Sequence, residues 1–274
     1  MASGPIRVYA RTSPRLFGAG KQKSRILVTP GAYELFTFFI GETNASGVPL
    51  SCVGVELRDF SMETHRDEIS DGWLITFEEK HIHAVFGDLQ MSGFYNGMDL
   101  PAASRTVIDN VYRSGSGRRT IGGTILRLSS NENAGVWYLD FSTDGAKPAD
   151  VKLNIEQSAL TSKLGNQSHE EGVYIGAADG IYFKPDTRLR GALEQVVLET
   201  ALAPNRSVIA SVDFLDVYFD NVDGNHLVFK GYGNDETLTP PGATRTNQKA
   251  KFRSITIDAF RFRSAKATSG INFG

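Results

Sequence analysis

Short apolar runs separated by turn residues form the main pattern of this chain. Val, Ile, Leu, Phe, Tyr and Trp cluster in these runs, while Gly, Asn, Asp and Pro lie between them. β-Branched and aromatic residues favour strands, and turn residues about every 8–12 positions are typical of sandwiches and barrels. The sequence therefore predicts an all-β sandwich or barrel with long hairpins and one or two short helices packed on it. The runs that predict strands are 26–28, 33–40, 53–60, 73–77, 82–86, 120–128, 136–141, 173–183, 208–219, 226–229 and 252–262.

One segment, 188–202, has the apolar spacing of a helix. Its apolar residues recur at i, i+4, i+7 and i+8, which places them on one helical face. Asp186 or Thr187 would cap its start, although two adjacent valines leave a strand as the alternative. Weaker helical patterns cover 100–112 and 151–164, and no repeat of fixed period is visible. The residues of the predicted helical face are Leu189, Leu193, Val196 and Val197.

Both ends of the chain alternate apolar and polar residues. In the opening segment, Ile6 and Val8 lie on the face opposite Arg7 and Tyr9. In 254–263 both faces of the predicted strand are partly apolar, so this strand is expected to be central or covered at a subunit contact. Either end could add as a strand to the sheet edge of a neighbouring molecule.

The charges of the chain are distributed unevenly. Residues 1–25 carry six basic side chains and no acid, and residues 244–274 carry seven basic side chains and one acid, Asp258. The remaining 16 basic and 30 acidic residues give the middle a net charge near −14. Positive arms on a negative body suit a self-assembling subunit, because each arm finds an attractive surface on its neighbour. The predicted assembly contacts are Arg7, Arg11, Arg15, Lys21, Lys23 and Arg25 at the N-terminus, Arg253, Arg261 and Arg263 in a C-terminal strand, and Arg118 and Arg119 in a loop.

These patterns predict three parts of the chain. Residues 1–25 are expected to form a basic extended arm, residues 26–264 a β-rich body, and residues 265–274 a flexible C-terminal tail. A division of the body into two β-subdomains near position 145 is an option, although the composition does not change there. Segments rich in glycine, serine or threonine predict flexible connections at 18–24, 114–119 and 231–244.

The cysteine and histidine residues give little sign of catalysis or of a metal site. Cys52 is the single cysteine, which excludes an internal disulfide, and its apolar neighbours predict a buried residue rather than a nucleophile. His81 and His83 have a spacing that could place both on one strand face, as in a cupin-type metal site. The first acid after them, Asp88, comes too late for that motif. Both histidines are therefore predicted to lie on a solvated strand face, and no metal or other cofactor is expected.

The other motifs of enzymes and binding modules are incomplete. The acidic doublets 78–79 and 170–171 cannot each form a glycosidase pair, because adjacent strand residues point to opposite faces. The sequence holds no Walker, dinucleotide-binding or nucleophile-elbow motif. Trp73 and Trp137 could stack on sugars, which keeps a β-sandwich carbohydrate-binding module as an alternative. The chain is predicted not to be an enzyme, with a metal-dependent or glycosidase enzyme as the less favoured alternative.

The arm 1–25, the hairpin candidates 62–94 and 105–128, and the helix candidate 188–202 occur together in one β-rich chain. This combination resembles a bacteriophage virion protein, and most of all a tail-tube subunit. In that family, subunits form stacked rings whose inner strands close a continuous β-barrel, and arms and loops grip the next ring. The resemblance implies an acidic lumen that DNA passes without specific binding, with a solvated outer face as the alternative. The candidate lumen residues are Glu63, Asp67, Glu68 and Asp71.

The resemblance implies a structural subunit that assembles into a tail tube or a related ring of an injection machine. Its partners would be further copies of itself and other virion proteins such as sheath or baseplate, and it would not contact a membrane. No long apolar stretch follows Arg7, so no secretory signal is expected and the chain would be made in the host cytoplasm and end in the virion. A decoration, connector or fibre-base protein fits the same sequence.

Overall fold

The computed structural model describes most of the first 114 residues and, beyond them, mainly strands. Within the described part of the chain every regular element is a β-strand. This confirms the all-β class, whereas neither the sandwich or barrel nor the short packed helices are found there. The described residues are 4–28, 34–64, 73–79, 81–92, 96–100, 103–114, 124–128, 149–155, 169–175, 178–183, 187–190, 192–200, 208–220, 225–231, 251–258, 261–263 and 269–273.

The strands, in chain order, are β1 (Ile6–Tyr9), β2 (Arg15–Phe17), β3 (Arg25–Val28), β4 (Phe36–Phe39), β5 (Cys52–Val53), β6 (Glu56–Arg58), β7 (Ser61–Thr64), β8 (Trp73–Phe77), β9 (His81–Ile82), β10 (Val85–Gly87), β11 (Gln90–Ser92), β12 (Asn96–Asp99), β13 (Ala103–Ser104), β14 (Val107–Ser114), β15 (Thr124–Leu128), β16 (Ala149–Ile155), β17 (His169–Ile175), β18 (Ala178–Phe183), β19 (Arg188–Arg190), β20 (Ala192–Thr200), β21 (Val208–Leu215), β22 (Tyr218–Asp220), β23 (Asn225–Gly231), β24 (Lys251–Asp258), β25 (Arg261–Arg263) and β26 (Ser269–Phe273).

All pairings between these strands are parallel, and they form three sheet faces and one small sheet. The first face has nine strands in the order β1-β4-β8-β12-β15-β17-β20-β23-β26. The second face follows the order β2-β6-β10-β14-β16-β18-β21-β24, and the third face contains β3, β7 and β11 at one end and β19, β22 and β25 at the other. The long strands β14 and β16 belong to both of these faces. A small sheet of β13, β9 and β5 precedes the second face.

Because each strand pairs with a strand one turn further along the chain, the chain winds into a β-solenoid. The spacing of aligned residues is uneven: 23 positions separate Ile75 from Met98, and 47 separate Leu126 from Val173. Connections of unequal length thus hide the repeat in the sequence. At about 4.8 Å between strands, the nine-stranded first face is roughly 38 Å long.

Side chains that point inward fill the solenoid in columns. Phe38 stacks on Phe77 with ring centroids 5.0 Å apart, and Phe183 stacks on Phe214 at 4.6 Å. Both pairs occupy aligned positions of adjacent strands. Stacked aromatic pairs of this kind contribute about 0.5–1.5 kcal/mol beyond the area that they bury. The core is therefore continuous from coil to coil along the solenoid axis.

Two columns of left-handed residues form corners of the coils. Asp59, Asp88, Asn110 and Asp216 have φ between 48° and 63° and lie between the second and third faces. Asn and Asp adopt this conformation more readily than most other residues. The Asn110 amide donates a hydrogen bond of 2.5 Å to Asp88 Oδ1, so corners of adjacent coils are joined directly. The second column, which precedes the second face, consists of Ser13, Gly54, His83 and Arg105.

The topology corrects three predictions about local structure. The segment 188–202 is not a helix, because it contains β19 and β20. Val196 and Val197 are both buried, so this strand is covered on both faces and lacks the alternation by which a half-buried strand is recognised. The hairpins at 62–94 and 105–128 are wrong where the structure describes them, since their strands pair in parallel with other coils. The helical patterns over 100–112 and, as far as residue 155, over 151–164 are also wrong, because β13, β14 and β16 occupy these residues.

The two ends of the chain also differ from expectation. The segment 1–25 is not an extended arm where it is described, because β1 and β2 pair with β4 and β6 of the same molecule. The predicted boundary at 25 falls at the start of β3. The tail 265–274 contains β26, which pairs with β23. The option of a division near 145 and the helical pattern beyond 155 lie outside the described residues.

Candidate interaction surface at the first coil

The N-terminal end of the solenoid is formed by residues 4–28, called here the first coil. Its strands β1, β2 and β3 pair with β4, β6 and β7 of the second coil, residues 34–64. In the described structure each of these three strands is paired on one side, so its other backbone edge faces away from the solenoid. Unpaired strand edges are the usual template for pairing with another chain. The first coil therefore presents three edges in one layer.

Four arginines of the first coil form ion pairs with glutamates of the same molecule. Arg7 lies 2.7 Å from Glu78, and Arg15 lies 3.6 Å from Glu56. The guanidinium of Arg7 also covers the ring of Phe39, at 4.6 Å from its centroid. The remaining pairs are Arg11 with Glu42 and Arg25 with Glu63, the latter at 3.9 Å.

These pairs join the basic segment to acids of its own molecule, whereas contact with a neighbouring molecule stays a prediction. The four arginine side chains are between 54% and 63% exposed, so solvent screens these pairs and each adds little to stability. Tyr9 and Glu42 raise the pKa of Arg11, through a hydrogen bond that the Arg11 guanidinium donates to the Tyr9 oxygen and through the charge of Glu42. The ion pairs fix the arginines in position at the rim without making them a large source of stability.

The segment 18–24 is an ordered turn at the rim of the first coil, rather than the flexible stretch predicted from its glycines. The backbone N–H of Gly18 donates to the Arg58 carbonyl at 2.9 Å, and that of Gly20 donates to the Asp59 carbonyl at 2.9 Å. A Cβ at Gly18 would lie 2.1 Å from the Asp59 oxygen, so only glycine fits there. Within the described structure, the turn holds Lys21 and Lys23 without an ion pair.

The described residues leave the centre of this end of the solenoid open. An apolar cavity of about 790 Å³ lies there, and Arg15 and Pro14 line its edge. Leu16 keeps 39% of its surface exposed, and its neighbour Phe17 keeps 54%. In the interior coils the aligned positions are covered on both sides, as for Leu57 and Phe86, which are 2% and 0% exposed. The apolar side chains that line the cavity include Ile6, Val8, Leu16, Ile26, Phe36 and Phe38.

The buried carboxylate of Glu79 joins the second coil to the third coil, which contains strands β8 to β11. Glu79 is 9% exposed and accepts hydrogen bonds from the backbone N–H groups of Ile40, at 3.0 Å, and Gly41, at 2.9 Å. Cys52, which is fully buried, places its sulfur 3.8 Å from the same carboxylate. Burial and the charge of Glu79 raise the pKa of Cys52 to about 12. A thiol held protonated in this way is a poor nucleophile, and the prediction that Cys52 is buried is confirmed.

The two histidines of the candidate metal motif do not share a face. His81 is fully buried and its ring stacks on Phe77 with centroids 4.0 Å apart. His83 is exposed at a left-handed corner with φ of 57°, where it contacts Arg105 at 3.4 Å. The turn at His83 breaks the alternation that would have aligned the two rings. The prediction of two solvated histidines is therefore wrong for His81, and among the described residues no cluster of three His, Cys, Asp or Glu could hold a metal ion.

Trp73 takes part in a polar cluster formed by strands β8, β12 and β15 of the first face. The guanidinium of Arg127 lies over the Trp73 ring at 4.6 Å from its centroid. Asp99 accepts two hydrogen bonds from Arg127, at 2.9 and 2.6 Å. One face of the indole is thus already covered by a side chain of this protein. Trp137, the other candidate for sugar stacking, lies outside the described residues.

The remaining predicted contact residues are placed only in part. Arg253 lies in β24, while Arg261 and Arg263 lie in β25, and these strands pair with β21 and β22. Glu63, a candidate lumen residue, lies beside Arg25 and accepts a hydrogen bond from Ser61 at 3.3 Å. The loop and lumen candidates that lie outside the described residues are Arg118, Arg119, Asp67, Glu68 and Asp71.

Comparison of the chain with protein-family models, with curated proteins and with solved structures found no match. In the described part of the chain, no helix is long and apolar enough to cross a membrane.

The open end is the feature that sequence reasoning missed. The alternation of Ile6 and Val8 indicated a strand with one apolar face, and the burial of the two residues agrees with it. The sequence did not indicate that Leu16 and Ile26 share the same layer, because each belongs to a different sheet face. A basic segment with four inward-facing apolar residues is the signal that could have predicted an exposed end layer.

Proposed function

We propose that this protein is a structural subunit of a virion appendage or a related injection machine, in which it acts as a short rigid rod. The observation that supports this role is the parallel stack of coils with an open basic end. Stretching the rod would break backbone hydrogen bonds on all three faces at once. Such a stack transmits load along its axis, as a connector or fibre-base subunit must do.

Within this proposal, the topology favours a connector or fibre-base role over a tail tube. In a tail tube, strands of neighbouring subunits close a shared barrel, which requires free edges on each subunit. In the described structure, the interior strands of the three faces have both edges paired within the chain, and only the short strands β5 and β13 of the small sheet are paired on one side. Shared strand pairing is then available mainly at the end layers of the solenoid, which suits contact with another protein along the axis better than closure of a ring.

Two functional alternatives receive no support from a specific contact. The carbohydrate-binding alternative depended on Trp73 and Trp137, and Arg127 covers one face of Trp73. The metal-dependent alternative depended on His81 and His83, which the corner at His83 separates. We therefore develop only the structural role, with self-association and contact with other virion proteins as its partners.

The structural role is tested by sedimentation velocity of the purified full chain over a range of concentrations at low and high ionic strength. Electron microscopy of any large species completes the test. Salt-sensitive oligomers, fibres or rings are expected, because contacts through exposed charges weaken once the Debye length falls below about 10 Å. A monomer under every condition would overturn the self-association part of the proposal. Closed tubes with a central channel would favour the tail-tube form instead.

A further inference from the structure

We propose that the open end of the first coil binds an extended, acidic segment of a partner protein as an added β-strand. This inference rests on the proposed structural role and names the partner of its N-terminal end. The site consists of the free edges of β1 and β2, the apolar cavity inside them, and the cations around them. Each of these three parts selects a different property of the partner.

The backbone edges select an extended chain. Ile6–Tyr9 and Arg15–Phe17 each have a neighbouring strand on one side in the described structure. An incoming strand would continue the parallel pairing of the solenoid and satisfy these N–H and C=O groups. A helix or a compact loop would leave most of them without a protein partner.

The cavity selects apolar residues at every second position. Ile6 and Val8 point inward from β1, while Arg7 and Tyr9 point outward. A strand laid on this edge would direct alternate side chains toward the cavity of about 790 Å³. Leu16, now 39% exposed, would become covered as Leu57 is in the second coil. The apolar side chains of the partner would thus cover the first coil in the way that each interior coil is covered by an adjacent coil.

The cations of the first coil favour acidic residues at the partner positions that alternate with the apolar ones. The first coil carries six basic residues and no acid. Four of them are paired toward the second and third coils, and each guanidinium keeps further N–H donors for a second carboxylate. Lys21 and Lys23 have no ion pair in the described structure and are the free cations of the rim. An acidic partner therefore gains attraction that a neutral strand does not.

A second copy of this chain fits the end less well. The layer that could continue the stack is its C-terminal end, where β24 and β25 carry Lys251, Arg253, Arg261 and Arg263 against one acid, Asp258. By sequence, the net charge of these strands has the same sign as that of the first coil, which disfavours their pairing. The charge pattern thus favours a different protein over an end-to-end polymer of this one.

The test uses the full chain and a short fluorescent peptide in which Val alternates with Glu. Two control peptides have Lys in place of Glu, or Ser in place of Val. Fluorescence anisotropy at low ionic strength is expected to show saturable binding of the Val–Glu peptide and at least about tenfold weaker binding of both controls. Equal binding of the Val–Lys peptide, or no binding of the Val–Glu peptide, would overturn the proposal. The cations would then serve only to keep the edges from pairing.

Variants locate the site. Lys21→Glu combined with Lys23→Glu is expected to weaken binding of the Val–Glu peptide about tenfold, and Leu16→Asp to weaken it at least as much. Val53→Asp is the matched control, because Val53 is 41% exposed but lies in the second coil. Loss of binding in Val53→Asp, or wild-type binding in Leu16→Asp, would contradict the site.

Two further results separate this inference from the structural role. If the protein forms salt-sensitive oligomers but binds no peptide, the inference fails and the structural role stands. If the peptide binds but the protein stays monomeric, self-association fails and the inference stands. Dissociation of oligomers by Lys21→Glu with Lys23→Glu would show that a second copy occupies the end, and would overturn the choice of partner.

Discussion

The buried carboxylate of Glu79 offers the sharpest test of how one coil is fixed to the next. It accepts two hydrogen bonds, from the backbone N–H groups of Ile40 at 3.0 Å and Gly41 at 2.9 Å, and it is 9% exposed. Gly41 has φ of 68°, so the two successive N–H groups converge on one anion. Replacing Glu79 with Ala would leave both donors without this partner.

The expected cost follows from these contacts. A hydrogen bond to a charged group contributes about 1.5–3 kcal/mol, and water admitted to the vacated site recovers part of it. We therefore expect Glu79→Ala to lower the free energy of unfolding by about 3 kcal/mol. Glu79→Gln retains one acceptor oxygen but turns its amide toward the other N–H, and is expected to cost about 2 kcal/mol.

The matched control is the adjacent residue. Glu78 is 41% exposed and pairs with Arg7 on the surface, so Glu78→Ala is expected to cost at most about 1 kcal/mol. Urea unfolding followed by circular dichroism measures both variants, provided that the slope of the transition is unchanged. If Glu79→Ala and Glu78→Ala destabilise the protein equally, the buried carboxylate does not join the coils as described.

Three other predictions concern packing and the first coil. Cys52 has a pKa of about 12, so at pH 8 only about one thiol in 10⁴ is ionised, and a thiol reagent is expected to react only as fast as the protein opens. Above pH 9 the Cys52 thiol ionises in the unfolded chain before it does in the folded protein, so the free energy of unfolding should fall as the pH rises. Rapid reaction of the thiol in the folded state would contradict its burial. Gly18→Ala is expected to lower the free energy of unfolding by about 1–3 kcal/mol, because its Cβ would lie 2.1 Å from the Asp59 carbonyl oxygen. The control Gly4→Ala, whose Cβ would have no atom within 4 Å, should change the unfolding midpoint little. Equal midpoints for the two variants would refute the close approach at Gly18. Deleting residues 1–25 is expected to expose Phe36, Phe38 and Leu57 and to lower both the solubility and the thermal unfolding midpoint, measured by sedimentation and calorimetry. A soluble monomer with an unchanged midpoint would instead support the prediction that residues 1–25 form an independent arm.

Local strand formation was predictable, because it depends on residues that are adjacent in the chain. The run 73–77 coincides with β8, and the run 208–219 covers β21 and most of β22. The alternation at Ile6 and Val8 and the burial of Cys52 were also predicted correctly. In each case an apolar run bounded by turn residues decided the outcome.

The pairing of the strands was not predictable from such runs. Parallel neighbours lie 23 to 47 positions apart on the first face, and connections of unequal length remove any visible period. The segment 188–202 has the apolar spacing of a helix although it forms strands, because both sides of β20 are buried and its apolar residues do not alternate with polar ones. Long-range packing, rather than propensity, determined the structure in both cases.

The site was predicted in composition but not in geometry. The basic residues of the first coil were identified, yet their partners Glu42, Glu56, Glu63 and Glu78 are distant in the sequence and were assigned to a negative body. The corner at His83 likewise separated two histidines that alternation would have aligned. The charge count indicates that the basic segment forms ion pairs with acidic residues, whereas the positions of those acidic residues depend on the fold.

Pairing of the first coil with its own second coil is tested most directly by a disulfide. Arg15 and Glu56 are aligned on adjacent parallel strands, at a spacing of about 4.8 Å that suits a disulfide. Arg15→Cys with Glu56→Cys is therefore expected to give a cross-linked monomer on mild oxidation, seen by non-reducing electrophoresis and mass spectrometry. The control pair Arg15→Cys with Asp109→Cys, three strands apart, should not cross-link within one molecule. A cross-linked dimer from the first pair, with little cross-linked monomer, would mean that the basic segment docks on a neighbouring molecule and would contradict the open end.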